Sequence, residues 1–198
     1  MKLIDHTIED FINQVDSSSP APGGGSVSAL SATMGVALLR MVGHITIGRK
    51  AFNKYSEDQQ QAFIDAWNKL DDIKQDLIPL IDEDTDAFNQ IMTAFKLPKT
   101  TEDEIKYRQQ AIQGATIYAI DVPLRVANLC MKALRTIEPI KAYGNRNAIS
   151  DVEVAELQLQ AACHGALKNV SINITSLSNQ KLVEAYQMQV DAILNQIQ

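Results

Sequence analysis

The sequence predicts an all-α fold, a bundle of about six mostly long helices, two of them kinked at proline. Three observations carry that expectation. Apolar residues recur at spacings of three and four through several long stretches, the period of one helix face. Three segments open on helix-capping patterns, Ser56-Glu57-Asp58-Gln59, Thr101-Glu102-Asp103-Glu104 and Ser150-Asp151-Val152-Glu153. No run alternates apolar and polar residues between turn signals, so no strand is predicted. The 198 residues fit one domain, 1–198, with enough chain for a sizeable core.

The elements follow in order. Thr7 to Val15 reads as a short amphipathic helix, with Ile8, Phe11, Ile12 and Val15 on one side. A loop then carries Ser19-Pro20-Ala21-Pro22-Gly23-Gly24-Gly25. Its prolines stiffen the approach, and its glycines let a ligand or another backbone come close. A second helix starts at Ser26 and runs to about Ile47, with Gly48 as its stop. Val27, Leu30, Met34, Ala37 or Leu38, and Met41 hold helical spacing, and Ser28, Ala29, Ala32 and Gly35 fill between them. Small residues admit close neighbours, so burial on several sides is expected. The segment approaches the length of a membrane span, but Arg40, His44 and several hydroxyl residues mark a buried soluble helix.

Arg49 to Tyr55 is polar and basic. The Ser56 capping box opens a helical stretch reaching about Phe95, in which Pro79 is expected to kink or split the helix. Lys96 to Thr101 is a loop. The Thr101 box opens a helix to about Ile137, and Pro123 is expected to bend it and free carbonyls. Glu138 to Ala148 reads as a loop carrying Gly144-Asn145-Arg146-Asn147. Ser150 caps a helix to about Leu177, and a last helix spans roughly Asn179 to Ile197.

A net charge of −6 gives no electrostatic case for nucleic acid or a membrane surface. Cys130 and Cys163 are far apart, as in a reduced cytoplasmic protein. His6, His44 and His164 pair with nothing at metal-ligand spacing, so no metal site is predicted. Asp82-x-Asp84-x-Asp86 starts like a calcium loop, yet Ala87 stands where glycine is required and Thr93 where glutamate is. The run is either a solvated acidic face or holds one inward carboxylate with a raised pKa for acid/base work. Lys50, Lys54 and Tyr55 are either surface charge or a partner for an anionic tail. Asn145, Arg146 and Asn147 either serve a turn or recognise a flat heterocycle edge.

Several ordered pieces resemble the formiminotransferase-cyclodeaminase, cyclodeaminase-like family, which includes methenyltetrahydrofolate cyclohydrolases. They are Pro20 to Leu30, Leu80 to Phe88, Leu97-Pro98-Lys99, Val122-Pro123-Leu124, Gly144 to Asp151, and Asn169-Val170-x-Ile172-Asn173. The resemblance implies a dimer that binds a reduced folate and works at its N5 and N10, with no metal and no cofactor beyond the tetrahydrofolate substrate. It implies that Pro22, Gly23, Gly24, Gly25 and Ser26 contact the folate. It places Asp84 at the reacting centre, in a motif closed by Phe88. Thr85 replaces the family's first alanine, which makes Asp86 an extra carboxylate and, with Asp84, the second candidate for the catalytic acid/base. Asn145, Asn147 and Asp151 match Gly-Asn-x-Asn-Ala-x-Ser-Asp and are assigned to the pterin, and Lys50 to the glutamate tail. His44 has no counterpart in the resemblance. The implied activity is 5-formiminotetrahydrofolate cyclodeaminase, with 5,10-methenyltetrahydrofolate cyclohydrolase as the alternative and a non-catalytic folate-binding subunit as a third reading. A cyclodeaminase of this length implies a separate formiminotransferase chain as partner.

Overall fold

A computed structural model describes residues 1–197. Among them there is no strand. Six long helices form the bundle: α2 (Gly24–His44), α3 (Glu57–Leu77), α4 (Leu80–Phe95), α5 (Glu102–Leu134), α7 (Ile149–Ile174) and α8 (Gln180–Ile197). Two short ones complete it, α1 (Ile8–Val15) and α6 (Ile137–Tyr143).

Helix α2 lies at the centre. It packs along most of α7 and also touches α3, α4, α5 and α6. The small residues along it explain this. Ala29, Ala32, Val36, Leu39 and Val42 are fully buried, and a Cβ added to Gly35 would lie 3.1 Å from the Ala155 carbonyl of α7. By length and composition α2 could cross a membrane, with a mean hydropathy of 1.4 over its most apolar window, but half of that window is buried within the bundle.

The capping patterns at Ser56 and Thr101 form full capping boxes with Gln59 and Glu104. The third does not. Helix α7 starts at Ile149 without a side-chain cap, after a 3-10 turn at Arg146–Ala148. Asn145 supports that turn by accepting a bond from the Asn147 N–H at 3.2 Å. The expected loop at Glu138 to Ala148 is half helix. Ile137 and Ile140 find burial, and Pro139 sits in the first turn of α6, where a missing N–H costs nothing. Helix α2 ends at His44, short of Ile47; a turn follows in which Gly48 has φ 82°.

The two prolines act differently. Pro79 divides the long stretch into α3 and α4. Pro123 lies within the continuous helix α5 and cannot donate to the carbonyl of Ala119. That carbonyl instead accepts from Asn173 Nδ2 on α7 at 2.7 Å. Asn173→Leu is therefore expected to leave it unpaired and to cost about 1–3 kcal/mol, measurable as a lower urea midpoint at unchanged slope.

Candidate active site

The glycine run is the first turn of α2. Gly23 is its N-cap, and Gly24 and Gly25 are helical, so the helix starts two residues before Ser26. The preceding Ala21–Pro22 peptide bond is cis. None of these three glycines has positive φ. Their value is the missing side chain. A Cβ at Gly25 would fall 1.9 Å from Asp84 Oδ1, and one at Gly24 would fall 3.2 Å from Asn169 Nδ2.

Asp84, on α4, therefore reaches the open N-terminus of α2. The Ser26 N–H donates to Asp84 Oδ2 at 2.9 Å, and the Ser26 hydroxyl lies 3.4 Å from the same oxygen. Ser26 Oγ is also 3.2 Å from Thr85 Oγ1, so the residue that departs from the family motif belongs to this hydroxyl pair. Burial pushes the Asp84 carboxyl above its ordinary value, and the two Ser26 donors pull it part of the way back.

Asp84 opens into a cavity of about 150 Å³. The loop lines it with Pro20, Ala21, Gly23 and Gly24, α4 with Phe88 and Ile91, and α5 with Ala119. Helix α7 adds Asn169 and Asn173, one turn apart. Each Asn spends one amide hydrogen on a backbone carbonyl, Gly165 for Asn169 and Ala119 for Asn173. A carboxyl held at a helix N-terminus beside two amides and an aromatic ring suits a flat heterocycle whose reacting nitrogen must exchange a proton.

The other acidic residues separate from Asp84. Asp86 is exposed and lines a second groove, with Asn89, Tyr107 and Tyr118. Asp82 accepts from the Leu3 N–H. Lys50, Asn145, Asn147 and Asp151 lie at the opposite end of α2. The Asn145 N–H donates to Thr46 Oγ1 at 2.9 Å, and Lys50 is exposed in the turn after α2. Since α2 has 21 residues, about 30 Å of helix separates the two groups. Within one chain, then, Pro22 to Ser26, Asp84 and Phe88 come together, while Lys50, Asn145, Asn147 and Asp151 form a second cluster. Asn169 and Asn173 were not among the predicted site residues. The signal for them was the matched piece Asn169-Val170-x-Ile172-Asn173, an i, i+4 pair of Asn, together with a carbonyl freed by Pro123. His44 is exposed and packs edge-on against Trp67, at 5.1 Å between centroids. Among the described residues no group of three metal-type ligands occurs.

The site is thus a desolvated carboxyl at a glycine-opened helix terminus of an all-α bundle, and the relatives say to which family such a chain belongs. The formiminotransferase-cyclodeaminase family model matches residues 7–192, and the chain belongs to that family. It is 35% identical over 188 residues to a methenyltetrahydrofolate cyclohydrolase of Methylorubrum extorquens, covering 95% of this chain and 88% of that one. It is 31% identical to the formimidoyltransferase-cyclodeaminase of Rattus norvegicus, covering 98% of this chain but 35% of the rat protein. The crystal structure of formiminotetrahydrofolate cyclodeaminase from Thermotoga maritima superposes with a TM-score of 0.83 at 25% identity, over 98% of this chain and 90% of that one.

Proposed function

We propose that this chain is a folate one-carbon enzyme acting on the carbon that bridges N5 and N10, with Asp84 as its proton-transfer group. The observation that carries the reading is the buried Asp84 carboxyl facing the glycine loop and the two Asn residues, in a chain of this family.

In the cyclodeaminase direction, N10 of 5-formiminotetrahydrofolate attacks the formimino carbon. The C–N bond to the imino nitrogen then breaks. That nitrogen leaves as ammonia after taking one proton from N10 and one from an acid. Protonated Asp84 supplies the acid, and its raised pKa is the relevant property. In the cyclohydrolase reading, water adds to the carbon of 5,10-methenyltetrahydrofolate, the N5–C bond breaks, and 10-formyltetrahydrofolate forms with release of one proton. Ionised Asp84 accepts it. The extent and identity of the Methylorubrum match favour this second reading. Neither route calls on a metal or on a cofactor beyond the folate. A cytoplasmic homodimer is part of the proposal, as is a separate formiminotransferase chain if the reaction is the cyclodeaminase.

The two reactions make opposite demands on Asp84, so pH separates them. With 5-formiminotetrahydrofolate, turnover is expected to fall as pH rises through the Asp84 pKa. With 5,10-methenyltetrahydrofolate, hydrolysis catalysed above the buffer rate is expected to fall as pH drops through it. The methenyl absorbance measured with both substrates over a pH series decides. Inactivity toward both rejects the enzymatic reading and leaves a folate-binding subunit, detectable as a thermal shift with tetrahydrofolate.

A further inference from the structure

We propose that Thr85 is a positioning residue for the proton-transfer step: its hydroxyl donates to Ser26 Oγ and thereby aims the Ser26 proton at Asp84. The proposal deepens the folate reading above and rests on it for the reaction, while the hydroxyl pair itself can be tested in the free protein. It begins from the unusual aim of the two hydroxyls. Several helical Ser and Thr residues of the bundle return their proton to the carbonyl four residues earlier. Ser28 does so to Gly24 at 2.6 Å, Thr33 to Ala29 at 2.8 Å and Thr93 to Asn89 at 2.9 Å. For Ser26 the residue four earlier is Pro22, which lies before the Gly23 cap and outside α2. Thr85, on the same helix as Thr93, turns its Oγ1 across to Ser26 Oγ at 3.2 Å.

Counting protons gives the direction of that bond. Each hydroxyl carries one proton and can accept as well. Ser26 is fully buried, so its hydroxyl has to be satisfied within the protein. If Ser26 donated to Thr85, ionised Asp84 would lose the Ser26 hydroxyl, and the Thr85 proton would point away from both. If Thr85 donates to Ser26, both protons are used, and Ser26 Oγ donates onward to Asp84 Oδ2, 3.4 Å away. A carboxylate is the strongest acceptor of the three groups, so its charge sets this order. Each bond then polarises the next, which strengthens the long contact between Ser26 and Asp84. The Ser26 N–H, at 2.9 Å, addresses the same Oδ2, and Oδ1 is left to carry the exchanged proton.

The relay matters because the groups facing Asp84 are uncharged. They are Gly25 and Ser26 of α2, Phe88 of its own helix, Ala119 of α5, and Asn169 and Asn173 of α7. The charged groups nearby are committed elsewhere. Glu83 pairs with Arg125 of α5 at 2.7 Å and with the Tyr118 hydroxyl. Asp121 of α5 accepts from Tyr186 of α8 at 2.8 Å. The 3-10 turn Leu3–Asp5 meets α4 at Asp82, and Asp86 faces the second groove. Helix α3 joins α4 at Pro79 through buried Leu77 and Leu80. Burial raises the proton affinity of Asp84 and the Ser26 donors lower it. A residue that orders the Ser26 hydroxyl acts directly on the second of these.

The test removes the hydroxyl and keeps the shape. Thr85→Val is expected to raise the Asp84 titration midpoint by about half a pH unit, because the carboxylate loses part of the donation that stabilises it. Thr85→Ala is expected to shift it equally, which separates the hydroxyl from the packing of the methyl group, and Thr85→Ser to restore the wild-type value. The midpoint is read twice. One reading is kcat/KM against pH with each folate substrate, where both limbs described above move upward. The other is isotope-edited NMR of the Asp84 carboxyl carbon in the substrate-free full chain, assigned by its absence from Asp84→Asn. In a Ser26→Ala background Thr85→Val is expected to add no further shift, because the relay passes through Ser26. An unchanged or lowered midpoint in Thr85→Val overturns the proposal, as does a shift in only one of the Val and Ala variants. So does an equal shift with and without the Ser26 hydroxyl, or a Thr85→Ser chain that fails to restore the midpoint. A chain inactive toward both folates whose carboxyl titrates as stated rejects the folate reading and upholds the relay.

Discussion

Asp84→Asn is expected to lower turnover about 100- to 10,000-fold while leaving folate affinity near wild type. The argument starts from what the substitution keeps. Asn has the same shape and retains an oxygen that accepts from the Ser26 N–H, so the α2 terminus keeps its partner. What it removes is the exchangeable proton. Steady-state kinetics separate the two effects: a fall in kcat at constant KM places Asp84 in the chemistry, whereas an equal loss in binding would make it a positioning residue. The pH profile gives a second readout. The Asp84 titration, displaced upward by burial in wild type, is expected to be absent from the profile of the variant.

Stability gives an independent check on the same group. The folded-state pKa of Asp84 is raised, so its protonated form is favoured in the native protein. Its contribution to stability is fully present below the unfolded carboxyl pKa and is lost as pH rises through the folded value. Above that folded value wild type carries a partly buried charge that Asn does not. Asp84→Asn is expected to be at least as stable as wild type at pH 7, with no advantage below pH 4. A variant inactive yet no less stable is the pattern of a residue kept for chemistry at some expense to the fold.

The fold was legible where local chemistry decides it. The Ser56 and Thr101 boxes each carry their own capping partner three residues on, and both helices start where the pattern places them. Pro79 breaks a helix by its own stereochemistry. The misread segments depend on tertiary contact. Glycines discourage helix, so the sequence started α2 at Ser26. The fold starts it at Gly24 because Asp84, 58 residues away, needs the Ser26 N–H and leaves no room for a Cβ at Gly25. Helix α6 was missed because burial of Ile137 and Ile140 outweighs a proline and a glycine in the surrounding stretch. At the site, the motif marked Asp84 and Asp86 alike. Only packing turned one into the cavity and the other to solvent. Asn169 and Asn173 stood in a matched motif but were assigned no role there, because the use of Asn173 depends on the carbonyl that Pro123 frees in a different helix.

The largest structural effect is expected at Gly25. A Cβ built there lies 1.9, 2.3 and 2.5 Å from Asp84 Oδ1, Cγ and Oδ2, all within distances that real atoms do not share. The contact is not with the tip of a flexible chain. The Asp84 carboxyl is fixed by Ser26, one residue further along the same turn. Gly25→Ala must therefore push α4 away from α2 or rotate Asp84 out of the cavity. The first overpacks a tight helix contact at about 1–3 kcal/mol, or roughly 2–4 °C in Tm per kcal/mol for a chain of this size. The second spares some stability but unpairs the Ser26 N–H and removes the proton-transfer group. Either way activity is expected to fall at least as far as in Asp84→Asn. Gly24→Ala is the control one residue earlier in the turn. Its Cβ meets Asn169 Nδ2 at 3.2 Å, a contact that a small shift of the amide relieves, so weaker folate binding with kcat largely kept is expected. The double variant Gly25→Ala/Asp84→Ala completes the argument. If Gly25 is glycine because Asp84 occupies its Cβ space, truncating the carboxyl restores the lost Tm without restoring activity. The two substitutions would then be strongly non-additive in stability, and simple additivity would show that Gly25 serves the helix by some other route.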